Sequence, residues 1–123
     1  VKELFSALKR GEAVAMAADQ VPAKNMGVYE NFFGRKAYTT NLIPSLHSKT
    51  KAPIVSVAIH SDNLTNQLYI RYGSKSTYKE KSQYNAKTMN KEIENIININ
   101  PEDYNWEYKR FKKQEAEDKS IYK

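Results

Sequence analysis

The first twenty residues set the frame for any fold this chain can take. Leu4, Phe5 and Leu8 recur at helical spacing, and Gly11 follows Lys9-Arg10 where a helix would stop. The next stretch, Glu12 to Ala18, reads EAVAMAA and ends on Asp19. Helix, glycine, buried apolar strand and an acidic residue at the strand's carboxyl end make an α/β unit. In open α/β sheets ligands bind beyond the carboxyl ends of strands, where Asp19 and Gln20 would lie. On turn chemistry alone, Asp19 could equally cap the segment that follows.

From Gln20 to Thr40 the sequence has no clear period, so it reads as a long loop. Loops of that length in compact domains are uncommon and tend to be functional or disordered. Tyr29, Phe32, Phe33 and Tyr38 argue against disorder, which is poor in aromatics. Phe32-Phe33 is closed by Gly34 and followed at once by Arg35-Lys36. The two rings are either core or an apolar surface beside a site.

The remaining elements follow from local signals. Thr39-Thr40-Asn41 offers three cap residues, and Leu42, Ile43 and Leu46 predict a helix from about Asn41 to Lys49. Pro44 falls in its first turn, where the missing amide had no helical partner. His47 lies off the apolar stripe and reads as a boundary residue. After Thr50-Lys51-Ala52-Pro53, the run IVSVAI over residues 54–59 predicts a strand covered on both faces. Ser61-Asp62-Asn63 marks a turn, and Gln67 to Tyr72 alternates as a half-buried antiparallel neighbour should. Gly73 to Gln83 is polar and lysine-rich, which predicts a mobile connection. Ala86, Met89, Ile93, Ile96 and Ile97 predict an amphipathic helix within Tyr84–Asn98. Asn100-Pro101-Glu102-Asp103 then predicts a second helix start, whose Tyr104, Trp106, Tyr108 and Phe111 would dock on the core. Residues 1–113 thus read as a continuous part of one domain, and 114–123 as a charged, fraying tail.

Composition narrows the chemistry. The 123 residues make one domain, and the absence of cysteine removes disulfides, thiolate catalysis and thiolate metal sites. His47 and His60 stand outside any metal-ligand spacing, so neither a metal nor another cofactor is expected. No apolar run approaches the roughly 20 residues that a membrane-spanning helix needs. A net charge of +6 favours an anionic partner, with lysines concentrated over residues 75–91 and in Lys109-Arg110-Phe111-Lys112-Lys113. The first of these runs reads equally well as a solvated face.

Three blocks carry a family resemblance. The first is Gly11 to Gln20, then Gly27-Val28, then Phe32-Phe33-Gly34-Arg35-Lys36-Ala37-Tyr38-Thr39-Thr40. The second is Ala52-Pro53-Ile54-Val55-Ser56-Val57, and the third is Asn100 to Trp106 followed by Arg110-Phe111-Lys112. In that order the chain, from Leu4 to about Lys113, resembles the lipid A biosynthesis acyltransferases, the late lauroyl- and myristoyl-transferring enzymes of Gram-negative bacteria.

The resemblance implies an α/β enzyme of the inner membrane's cytoplasmic face. It would move a fatty acyl chain from acyl carrier protein to a hydroxyl of a phosphorylated lipid A precursor. In the family a histidine followed five residues later by an acid serves as general base. Here Ala52 lies five residues after His47 and Thr65 five after His60, so neither supplies that motif. With Val1 as first residue, the chain reads as the carboxyl-terminal portion of such an enzyme, its sheet incomplete and without turnover alone. The resemblance implies a supporting catalytic role for Asp19, and substrate contacts from Gln20, Phe32, Phe33, Gly34, Arg35, Arg110 and Lys112. An anionic membrane surface is expected as a further partner, and nucleic acid is not. The rival reading is a basic module that binds nucleic acid or a membrane surface without catalysis, since aromatics interleave with basic residues after Tyr104.

Overall fold

A computed structural model describes residues 1–61, 66–72, 84–115 and 121–122. Among the described residues, three helices and two small antiparallel sheets give a mixed α/β chain. Helix α1 spans Lys2–Lys9 and packs on α2, Leu42–Thr50. Strands β1 (Gly27–Phe32) and β2 (Arg35–Thr40) form one hairpin; β3 (Val55–Ser61) and β4 (Asn66–Tyr72) form the other. Helix α3, Ala86–Ile97, contacts β1, β2 and β3, and so joins the two hairpins.

Local chemistry accounts for the helices. Asn41 precedes α2 and Pro44 is its third residue, within the first turn as the sequence predicts. Asn85 caps α3, its side chain accepting the Thr88 amide at 3.0 Å. The buried face of α3 presents Ala86, Met89, Asn90 and Ile97. Phe32, Ala37 and Ile97 centre the core, with Ile93, Tyr104 and Phe111 packed around them.

Four expectations need correction. Residues 12–18 form no strand: they run without a ladder partner among the described residues, and only Val14 and Ala18 are half-buried. An apolar run becomes a strand only when a neighbouring chain pairs with its amides and carbonyls.

The second correction concerns residues 20–40, which are no long loop. The hairpin β1–β2 begins at Gly27 and turns on Phe33-Gly34, both at positive φ (+48° and +78°), so the turn is type I′. Gly27 is required at its position, because a Cβ there would lie 2.4 Å from the Thr39 carbonyl oxygen.

Third, β3 is covered on one face alone. Ser56 and His60 turn inward, whereas Val57 is 55% and Ile59 69% exposed. Fourth, Asn100 to Asp103 starts only a short 3-10 turn, Pro101–Asp103, and the aromatics after it lie in successive turns rather than a helix. The Ser61-Asp62-Asn63 turn and the Gly73–Gln83 connection fall largely or wholly outside the described residues. In the tail, the Tyr122 hydroxyl accepts the Phe111 amide at 3.0 Å.

Candidate active site

Segment 14–18 has no strand partner, yet it forms a wall. Together with α2, β3 and α3 it lines a half-open cavity of about 440 Å³. The lining is mainly aliphatic, including Val14, Leu46, Val57, Met89 and Ile93. Its polar groups are few: Asp19, His47, His60, Asp103 and Tyr104 stand out among them. An apolar cavity with a handful of convergent polar groups is the ordinary form of a small-molecule site.

Asp19 ends the wall, and the carboxyl-terminal block fixes it there. The Tyr104 hydroxyl donates to Asp19 Oδ2 at 3.1 Å. Burial and the neighbouring Asp19 carboxylate hold the Tyr104 phenol above its ordinary range, so it stays protonated and able to donate. Two further ties follow along the loop. The Val21 amide donates to the Tyr108 hydroxyl at 2.7 Å, and the Lys113 ammonium donates to the Pro22 carbonyl. Asp19, Val21 and Pro22 are thus held by residues 85, 87 and 91 positions later. Asp19 Oδ1 has no partner among the described residues, which leaves one carboxylate oxygen for an incoming hydroxyl or cation.

A second carboxylate pairs with a histidine nearby. His60 is 5% exposed, and its Nδ1 stands 3.4 Å from Asp103 Oδ2. His47 is half-buried; its Nδ1 lies 2.8 Å from the Ala52 carbonyl oxygen and its ring packs edge-on against Tyr84. That is the boundary position its sequence context predicts.

The other predicted site residues separate into buried and exposed groups. Phe32 is core, at 1% exposure, while Phe33 points out at 39%. Arg110 is 2% exposed and donates to the Tyr38 carbonyl and the Thr39 hydroxyl, each at 2.8 Å. Arg35 is half-buried and donates to the Gln114 side chain at 3.5 Å. Gln20 and Lys112 are exposed, the Lys112 ammonium lying 5.2 Å from the centre of the Tyr108 ring. Aromatic contacts run outward from the site: Tyr104 meets Trp106 at 4.8 Å, and Trp106 meets Phe33 at 5.9 Å.

Sequence reasoning gave Tyr104 and Tyr108 to the core and missed their hold on the Asp19 loop. No local signal marks a tyrosine that bonds across 85 or 87 residues. Trp106 was likewise expected inside, and is 57% exposed.

These features describe a mixed α/β protein with an apolar cavity and one anchored carboxylate at its edge. The chain belongs to the bacterial lipid A biosynthesis acyltransferase family, whose model matches residues 1–113. A search of the curated proteins found no match.

Proposed function

We propose that this chain is the carboxyl-terminal part of an enzyme that transfers a fatty acyl chain from acyl carrier protein to a hydroxyl of a lipid A precursor. The family match over residues 1–113 carries the reading. Neither histidine is followed five residues later by an acid, so the general base is assigned to a part of the enzyme outside these 123 residues. The unpaired segment 12–18 supports an acyltransferase-type sheet that further strands complete, and the exposed face of β3 supports a further layer packed upon it.

In this reading Asp19 orients the acceptor hydroxyl or holds a cation of the missing part, and Tyr104 positions it. Gln20, Phe33, Gly34, Arg35 and Lys112 do not line the cavity and would meet substrate outside it. Phe32 and Arg110 are buried, so their share is to hold β1 and β2 in place. The working location is the cytoplasmic face of an inner membrane, against anionic lipid. Among the described residues no helix is long and apolar enough to cross a membrane.

Acyl transfer by the enzyme carrying this chain tests the proposal, with acyl carrier protein thioester and lipid A precursor as substrates. Asp19→Ala is expected to lower kcat/KM by about a hundredfold, in the range of a lost catalytic group. The 123-residue chain alone is expected to give no turnover. Full activity of the variant at normal protein levels removes Asp19 from the mechanism, and turnover by the chain alone places the base within it.

A further inference from the structure

Phe33 and Trp106 form an exposed aromatic pair that the fold does not require. Phe33 takes the first central position of the β1–β2 turn at φ +48°, where a bulky side chain is strained and asparagine or glycine is usual. A residue held in such a conformation points toward function rather than stability. Its ring contacts Phe32 edge-on at 4.9 Å and Trp106 at 5.9 Å. The Trp106 Nε1 donates to the Pro101 carbonyl at 2.8 Å, so the polar end of the indole is satisfied and its apolar body meets solvent.

Cations flank this tip. Glu94 Oε1 accepts the Phe33 amide at 2.8 Å, and its Oε2 takes the Lys91 ammonium at 3.0 Å. Lys87 lies exposed one turn earlier on the same helix face. Glu94 is therefore already engaged, while Lys91 keeps 68% of its side-chain surface exposed; the exposed acids Glu102 and Glu107 lie beside Trp106 in sequence.

We propose that the Phe33–Trp106 tip is an interfacial anchor that seats the protein on an anionic phospholipid surface. Amphipathic aromatic rings settle at the headgroup level, and nearby lysines add attraction to anionic lipid. The contacts Phe33–Trp106–Tyr104 link this tip to Tyr104, which lines the cavity. The inference rests on the reading above, in which a lipid acceptor obliges the protein to meet a membrane. Its test needs no turnover, so its failure would leave acyl transfer standing.

Trp106 is the chain's one tryptophan, so its emission reports the tip directly. The full chain is titrated with vesicles of mixed phosphatidylglycerol and phosphatidylcholine, with and without brominated acyl chains, and with phosphatidylcholine alone. Anionic vesicles are expected to shift the emission to the blue and brominated chains to quench it; phosphatidylcholine alone is expected to act more weakly. Phe33→Asn suits the turn, so it keeps the hairpin, and it is expected to partition about tenfold less because a phenyl ring is withdrawn from the interface. Vesicle binding that leaves the emission unshifted overturns the proposal, since lysines elsewhere would then carry the contact. So does undiminished binding by Phe33→Asn, an absence of vesicle binding, or a shift produced by soluble acyl carrier protein and not by vesicles.

Discussion

Asn90 is the residue on which the interior polar cluster turns. It is fully buried on the inward face of α3, between positions occupied by aliphatic side chains. Its amide nitrogen donates to the Asn31 carbonyl at 2.9 Å and to the Thr39 hydroxyl at 3.0 Å. Its carbonyl oxygen lies 3.5 Å from an Arg110 nitrogen, and the Thr39 hydroxyl donates onward to the Ala37 carbonyl at 2.9 Å. Burial draws the Arg110 pKa down from its ordinary value, while Tyr104 and Asp19 pull it back up. The guanidinium is held by neutral acceptors and by the face of Phe32, 5.2 Å from the ring centre, and its Nε has no partner among the described residues. Clusters of this kind rigidify a core when satisfied and become costly when broken. Asn90→Ala is expected to lower unfolding free energy by about 2–3 kcal/mol, the cost of stranding buried polar groups. Urea denaturation measures it, and a loss under about 0.5 kcal/mol would mean that the cluster contributes nothing to stability. Arg110 also shows a limit of the sequence. It sits among Lys109, Lys112 and Lys113, and nothing in such a run tells which cation turns inward.

At the scale of elements, Glu92 couples α3 to β3. Its Oε2 accepts the Tyr84 hydroxyl at 3.1 Å and the Ser56 hydroxyl at 3.4 Å. Burial pushes the Glu92 carboxyl up from its ordinary value, and these two hydrogen bonds offset only part of that rise. The folded state then holds the Glu92 proton more tightly than the unfolded chain does. The stabilisation is complete below the unfolded value of 4.5 and is lost as pH rises through the folded pKa. Glu92→Gln keeps an acceptor and removes the titration. Its stability relative to the parent is expected to rise with pH across that window, as read from urea midpoints at a series of pH values. Parallel curves would show that burial leaves this carboxyl unperturbed. The elements that were legible in the sequence are those with local signals: α2 from Asn41 and its apolar stripe, α3 from its 3–4 spacing, β3 and β4 from β-branched residues and alternation. The others depend on distant partners. EAVAMAA lacks a ladder, the β1–β2 turn uses Phe-Gly where Asn-Gly would have announced a hairpin, and the turns after Asp103 are shaped by their ties to the Asp19 loop.

For the whole molecule, the uneven covering of the β3–β4 hairpin is the organising fact. One face of β3 meets α3 and the Pro101–Asp103 turn, and the other presents Val55, Val57 and Ile59 in register. Exposed apolar side chains on one strand face form a patch that an isolated domain gains nothing by keeping. Side chains on a sheet face are covered by a layer packed on that face, not by strands added at its edge. A layer from the rest of the enzyme would bury this patch. The two situations differ in a measurable way. In the 123-residue chain Ile59 is already 69% exposed, so Ile59→Ser should change stability by no more than about 0.5 kcal/mol. In the enzyme that includes the residues proposed to cover this face, the same substitution should cost about 2 kcal/mol or more, the value of a buried aliphatic side chain. Denaturation of both proteins, each with and without the substitution, gives the comparison. A small effect in both would show that nothing covers this face, and the proposal of a covering layer would fall while the family assignment stood.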